Sequence, residues 1–440
     1  MNFEDMIKVS YAWFGPQGPL WNTELPHIMN YARVSNKIRT ESSYYWCDDI
    51  WDKLFKDKKE NYILYPSSQL TEKDIFIYPF GLSWRVQFNN YFYGNTGLLE
   101  YAHTDGNVIH HVRCNKGFFL IDLAVEAFFH EDQIACMHNY FNSVHHIPLN
   151  KIIYLTGCMN AHELYAEFRA RRNLADIPGN KLSIICYPSS QTIYSRQLRD
   201  GDLIEPEYNP DKIPQKLFLC WNRRFRGHRT MLALALDKAG LVDRSYYSMG
   251  QVDPEMTDVK FEHTIDLFSY PELEITQDDA GRFCNKLPLK IDEETDNVKM
   301  CRDDNNVARD FYQNSLVSLV TETNYNLSQV TLTEKAFKPA KEKHPFILIG
   351  ASGSLKSMKN LGYKTFSEFW DEGYDNTKND RLRMKSIVEI CKYIGSWDES
   401  KIREFRHKVK PILEHNFNLF KSMPSDDVSE RIANVVRSNI

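Results

Sequence analysis

Two short runs of wholly apolar residues, Leu316 to Val320 and Phe346 to Ile349, bracket a candidate helix start at Thr333-Glu334-Lys335. A run without polar alternation has no face to give to water, so each is a strand covered on both sides. Two such strands joined through a helix form a parallel pair. The second run stops at Gly350, where a parallel strand turns toward its crossover. Thr333 stands as an N-cap, so the first-turn N–H groups and the Lys335 ammonium converge where an anion can sit. A neighbouring carboxylate, Glu334, accepts hydroxyl hydrogen bonds, and the pair divides the work as a ribose and its phosphates require.

The same alternation runs through the chain. Ile7–Phe14, Ile75–Pro79, Gly117–Asp122, Ile152–Gly157, Leu182–Tyr187 and Lys216–Cys220 read as strands. Ala161–Arg172, an amphipathic Thr230–Ala239 closing at Gly240, Asp380–Ile394 and Lys401–Lys421 read as helices, with shorter ones at Leu355–Leu361 and Phe366–Asp371. This is the pattern of α/β units with mostly parallel sheets. The 440 residues exceed one ordinary core,. The polar, proline-rich Arg199–Pro214 reads as a linker, which gives units of 1–205 and 206–400 followed by helices over 401–440. Residues 251–306 are acidic and irregular, an excursion from the second sheet.

A Thr-Glu-Lys at a helix start, preceded by a strand ending in Glu322 and followed by a strand into Gly350, resembles the donor-binding half of GT-B glycosyltransferases. Its signature is similar to that of α1,3-fucosyltransferases, although the residues on both sides of Thr-Glu-Lys depart from that pattern. Gly362-Tyr363-Lys364-Thr365-Phe366 with Asp371-Glu372-Gly373-Tyr374-Asp375 resembles glycosyltransferase-like proteins of large bacteriophages. The resemblance covers roughly Lys216 to Tyr393. It implies two Rossmann-type domains facing a central cleft, the first on the acceptor side and the second binding a nucleotide-diphosphate sugar, with C-terminal helices crossing back. The sugar nucleotide would be a co-substrate, with no permanently bound cofactor. The acceptor would be a hydroxyl, of a hydroxymethylated base in phage duplex DNA or of a glycan.

Charge and cysteine content narrow the class. A formal net charge of −5 requires any nucleic-acid contact to come from a local basic patch,. The 9 cysteines never form Cys-x-x-Cys and lie mostly within apolar runs, as reduced core residues do,. No apolar stretch approaches the ~18 residues of a membrane span, and the first residues lack the basic and apolar regions of a signal. The expectation is a cytoplasmic protein without membrane contact. A P-loop is absent.

The turn Asn222-Arg223-Arg224-Phe225-Arg226-Gly227-His228-Arg229 gathers 4 arginines and a histidine directly after a strand. Guanidinium groups bind phosphate oxygens in pairs and keep their charge when partly buried, so Arg223, Arg224, His228 and Arg229 are candidates for a leaving diphosphate. Thr333, Glu334 and Lys335 complete the donor set. Glu322 either binds sugar hydroxyls or caps the loop that follows it. An inverting transfer needs a carboxylate to take the acceptor's proton. Glu126, one helical turn beyond Asp122, fits that role with Asp122, and Asp105 beside His103 is the rival. A buried salt bridge accounts for Asp122 and Glu126 equally well. The histidines (His110-His111, His138, His145-His146) lack the spacing of metal ligands, and Asp200-Gly201-Asp202, a metal motif in GT-A enzymes, reads as a turn in the linker. The reaction is therefore expected to be metal-independent. The contrasting class is a non-catalytic protein with a degenerate sugar-nucleotide fold.

Overall fold

The computed structural model describes residues 7–11, 62–66, 70–81, 106–114, 116–124, 129–174, 176–188, 205–222, 224–251, 258–289, 291, 307–422 and 427–440. The chain is α/β and divides into two compact units, Met1–Ser189 with Pro424–Ile440, and Ser190–Met423.

The first unit carries a wholly parallel sheet of β1 (Ile7–Tyr11), β2 (Tyr62–Pro66), β3 (Phe76–Gly81), β4 (Gly117–Leu123), β5 (Ile152–Thr156) and β6 (Ser183–Cys186), ordered β2-β1-β3-β4-β5-β6. Helix α1 (Gly106–Cys114) precedes β4, α2 (Glu131–Met137) follows it, and α3 (Ala161–Arg171) joins β5 to β6. Every residue of β4 and β5 is buried, as the unbroken apolar runs require,. Successive side chains serve opposite layers. Phe119 and Ile121 pack with Ile134, Met137 and Phe168 of the helical layer. Phe118 and Leu120 pack with Val428, Ile432 and Val436 of the C-terminal helix, Asp427–Ser438. That helix is fastened to the first unit by the Tyr62 hydroxyl on the Ser429 carbonyl and by Arg431 on the Cys186 carbonyl at 2.9 Å.

The second unit repeats the design with β7 (Lys216–Trp221), β8 (Tyr246–Ser248), β9 (Ser315–Thr321) and β10 (Phe346–Ile349), parallel and ordered β10-β9-β7-β8. Its helices are α4 (Gly227–Lys238), α5 (Gln277–Cys284), α6 (Val307–Gln313), α7 (Glu334–Lys341), α8 (Ser354–Asn360), α9 (Asp380–Gly395) and α10 (Glu399–Ser422). All residues of β9 and β10 are buried. In both sheets the first strand lies between two later ones, β1 between β2 and β3 and β7 between β8 and β9. The two halves are therefore wound alike, each Rossmann-type, with its strand order reversing beside its first strand.

Several elements differ from the expectation. Helix α4 begins at Gly227 and is not amphipathic, since His228 to Leu236 are buried without interruption. Its apolar part, Met231–Leu236, is buried on every side, and the buried His228, Arg229 and Thr230 before it are hydrogen-bonded,. Phe366–Asp371 is a turn. The Phe369 and Trp370 N–H groups both bond to the Phe366 carbonyl, while Glu372 takes the Phe366 N–H and the Thr365 hydroxyl at 2.7 Å each. Strands β2 and β8 were not expected, and the excursion contains α5. From Glu205 onward the proline-rich stretch is strapped to α10. Buried Arg406 donates to the Asn209 and Pro210 carbonyls and lies over the Tyr208 ring, and buried Lys343 pairs with Glu205 at 2.7 Å and Glu414 at 2.9 Å.

Candidate functional site

In an open parallel sheet ligands bind outside the carboxyl ends of the strands, where the strand order reverses. In the second unit that place lies at the ends of β7 and β9. The two ends are locked together, with the Thr321 hydroxyl donating to buried Asn222 Oδ1 at 2.7 Å. Beyond Asn222 the chain runs through Arg224, Phe225 and Arg226 into α4. Phe225 is buried against Phe261 and so pins the turn, while Arg224 and Arg226 stay partly exposed. Arg226 is the N-cap of α4 and offers no side-chain cap.

Glu322 follows β9 directly and is fully buried. Its Oε1 accepts the Thr333 backbone N–H at 2.8 Å and its Oε2 accepts the Thr333 hydroxyl at 2.7 Å, so the carboxylate braces the start of α7. Burial pushes its pKa above the ordinary carboxylate range, against the opposing Lys335 charge and the Thr333 hydrogen bonds,. Thr333 caps α7 by accepting from the Lys335 N–H, and the Lys335 ammonium returns to the same hydroxyl oxygen at 3.1 Å. The ammonium also pairs with Glu334 Oε1 at 3.0 Å. Burial opposes ionisation of Glu334, but the Lys335 charge and hydrogen bond outweigh it and hold its pKa low. Both side chains keep roughly a third of their surface exposed (30% for Lys335, 32% for Glu334). At Gly350, at the end of β10, a Cβ would lie 2.7 Å from Ser354 Oγ and would have to displace it.

His228 and Arg229 are turned toward the protein. Burial, with the Arg229 charge, depresses His228 to about 3. The neutral ring donates Nε2–H to the Glu322 carbonyl at 3.0 Å. Arg229 is buried as well and donates to the Thr321 carbonyl at 2.9 Å and the Arg224 carbonyl at 3.0 Å. Tyr325 stacks on His228 with centroids 5.0 Å apart, and the Arg383 guanidinium lies 4.3 Å from the Tyr325 centroid. Arg383, 1% exposed, also donates to the Tyr325 carbonyl at 2.6 Å and to Asp380 at 2.7 Å. The loop after β9 is thus clamped from α4 on one side and from α9 on the other.

The structure therefore brings Arg224, His228, Arg229, Glu322, Thr333, Glu334 and Lys335 to one end of one sheet. Asp122 belongs to the other unit. It is buried within β4, where its Oδ1 accepts the Ala124 N–H at 2.9 Å. Because Asp122 is a strand residue, no helical face relates it to Glu126. Glu126, Asp105 and Arg223 lie outside the described residues, as does Asp200-Gly201-Asp202. Among the described residues no three His, Cys, Asp or Glu side chains are grouped to hold a metal, and no helix is long and apolar enough to cross a membrane. Sequence reasoning missed Asn222, Tyr325 and Arg383. The flat Tyr and lone Arg carry no local signal, whereas Asn222 was readable as the first polar residue after an apolar strand.

No family model matches the sequence, and no curated protein matches it. Among solved structures, the chain is similar to the UDP-forming α,α-trehalose-phosphate synthase of Burkholderia vietnamiensis (12% identity, TM-score 0.39, covering 84% of this chain and 74% of that one). It is also similar to the α,α-trehalose 6-phosphate synthase of Burkholderia multivorans (13%, 0.37, 84% and 73%) and to the UDP-forming enzyme of Burkholderia xenovorans (14%, 0.38, 94% and 83%). Superposition this loose fixes neither substrate nor activity, and the functional reading stands on the residues of the crevice.

Proposed function

We propose that the chain is a GT-B-type glycosyltransferase that takes its sugar from a nucleotide-diphosphate donor held at the carboxyl ends of β7 and β9. The observation that carries this reading is the linked set Glu322–Thr333–Lys335–Glu334 at the point where the strand order reverses. Lys335, helped by Arg223 and Arg224, neutralises the diphosphate, and Glu334 accepts the ribose hydroxyls. Glu322, His228 and Arg229 act by position, fixing the loop and helix start that present those groups. In the transfer the acceptor oxygen attacks the anomeric carbon as the bond to the diphosphate breaks. The electron pair leaves with the diphosphate, where the cations stabilise it, and a carboxylate takes the acceptor's proton. Asp122, at the end of a parallel strand in the first unit, is the described candidate for that base, alongside Glu126 and Asp105. No metal is required if the cations carry the leaving-group charge.

The acceptor is a hydroxyl, of a hydroxymethylated base in duplex DNA or of a glycan, and salt separates the two. DNA binding weakens steeply with salt because each neutralised phosphate releases counterions, while glycan binding does not. The inward commitment of His228 and Arg229 favours one other reading, a non-catalytic protein that binds sugar nucleotides. Thermal unfolding across a panel of nucleotide sugars tests the donor site, since a ligand at a hundred times its Kd stabilises by about 2.7 kcal/mol. No stabilisation by any member contradicts both readings. Stabilisation without release of nucleotide diphosphate from a labelled donor, across alcohols, glycans and modified DNA, selects the second.

A further inference from the structure

The amino ends of β4, β5 and β6 lie in a part of the first unit that collects cations. Helix α1 ends there with exposed His110, Arg113 and Cys114, and exposed Lys116 follows directly before β4. A π-helical turn, His138–Val144, leads into half-buried His145 and exposed His146, and Lys151 stands at the start of β5. These groups adjoin one another. Burial and the neighbouring Arg113 and His146 charges hold the His145 pKa below its usual value, burial lowers Lys151 against the effect of nearby Cys114, and Cys114 Sγ lies 3.9 Å from His110 Nδ1. Arg437 is exposed at the end of the C-terminal helix and reaches the same end, where Asn150 donates to Asn439 at 2.8 Å.

Acids are few here. No aspartate or glutamate occurs in residues 106–121 or 133–162. Asp74 is taken by Lys8 and Asp176 by Lys181, and Glu72 stands in the turn before β3. A chain of net charge −5 thus carries one surface of the opposite sign. The same end holds two exposed aliphatic side chains. Val144 (58% exposed) closes the π-helical turn, and His146, in the left-handed region at φ 55°, turns the chain back toward β5,. Ile177 (56% exposed) stands at a turn closed by the Asn180 N–H on its carbonyl at 3.1 Å, and the adjoining Gly179 carbonyl accepts the Asn150 N–H at 3.3 Å. One exposed aliphatic side chain needs no explanation. Two of them on adjoining loops, beside cations that no acid neutralises, have the composition of an interfacial anchor.

We propose that this end of the first unit docks on an anionic lipid surface, with Arg113, Lys116, His146 and Arg437 on the headgroups and Val144 and Ile177 in the interface. Neither signal is enough alone. Charge draws the surface in over a Debye length, and the aliphatic groups hold what charge has brought. A nucleic-acid strand would use the cations and leave both aliphatic side chains in water. The docking is peripheral, because no described helix is long and apolar enough to cross a membrane. It is independent of what the crevice of the second unit binds.

Flotation of the full chain with vesicles tests this, one set of phosphatidylcholine alone and one with about a third phosphatidylserine. Binding to the anionic set and not to the neutral one is expected, weakening as salt screens the exposed charges. Arg113→Glu with Lys116→Glu should weaken it tenfold or more, and so should Val144→Asp with Ile177→Asp. All four side chains are exposed, so both variants should keep the wild-type thermal midpoint. The emission that Val144→Trp adds to wild type should move to shorter wavelength on anionic vesicles. No binding to anionic vesicles, equal binding to both sets, or binding untouched by both paired variants would overturn the proposal. Binding lost on charge reversal but unchanged in Val144→Asp with Ile177→Asp, with no shift in the added emission, would show adsorption of charge only and overturn it as well. An oligothymidylate arm covers nucleic acid. Binding of the oligothymidylate with the vesicles left unbound would assign the surface to nucleic acid and overturn the lipid reading.

Discussion

Asp122 and Glu322 are both carboxylates at the carboxyl end of a buried parallel strand, one in each unit, and they are built in differently. Asp122 bonds to the N–H of Ala124, two residues on in its own turn. Glu322 reaches eleven positions along the chain to hold the backbone and side chain of Thr333, with Lys335 behind it and His228 on its own carbonyl. A carboxylate that serves a local turn is replaceable by other turn chemistry. One that joins a strand end to the cap of the next helix fixes the geometry of everything presented there.

The largest expected effect sharpens that contrast. Glu322→Ala leaves the Thr333 N–H and hydroxyl without their acceptor, and should destabilise the protein by about 1–3 kcal/mol for each of the two,. Asp122→Ala, which frees the Ala124 N–H within a local turn, should cost less, about 1–3 kcal/mol for that donor,. Denaturant unfolding of the two variants measures both, and equal losses would remove the distinction.

The next effect is acid sensitivity at the same bracing cluster. His228 sits at about 3 when folded against 6.5 in its ordinary state, because burial disfavours its charge. The unfolded chain therefore binds the proton first. The stability from a neutral His228 is complete above about pH 6.5 and is lost at up to about 1.4 kcal/mol per unit as pH falls toward the folded value. His228→Asn can still donate to the Glu322 carbonyl but cannot titrate there. The advantage of wild type over it should shrink by about 3 kcal/mol between pH 6.5 and pH 4, read from denaturant midpoints. A pH-independent difference would mean that the ring is charged or exposed.

A smaller effect separates the two clamps on the loop. Arg383→Lys keeps the charge and loses the planar fork that holds the Thr377 and Tyr325 carbonyls together,. A loss of about 1–2 kcal/mol is expected, appearing as faster hydrogen exchange over 322–333 with the first unit unchanged. Uniform acceleration across both units would show that the stack carries global stability and not the local loop.

Much of the framework was legible because parallel strands buried on both faces have no alternation to confuse. Phe346–Ile349 coincides with β10, and Leu316–Val320 lies inside β9. Thr333 was readable as a cap because its hydroxyl serves a neighbour two residues away. What escaped depends on distant partners. Strand β8 is three residues long and is defined by its pairing with β7, not by its own composition. Helix α4 was read as amphipathic over Thr230–Ala239, yet Thr230 is buried against Thr264, and His228 and Arg229, read in the turn before it, form its buried first turn, His228 on the Glu322 carbonyl. The arginine-rich turn showed how many cations gather there but not which face outward.

The central claim is that the end of the second sheet holds a nucleotide-sugar phosphate through Lys335. Calorimetric titration of the best-stabilising nucleotide sugar into wild type and Lys335→Ala tests it most directly. A charge-assisted phosphate contact of about 1.5–3 kcal/mol predicts a tenfold to hundredfold loss of affinity with the fold intact. Unchanged affinity in Lys335→Ala would contradict the account.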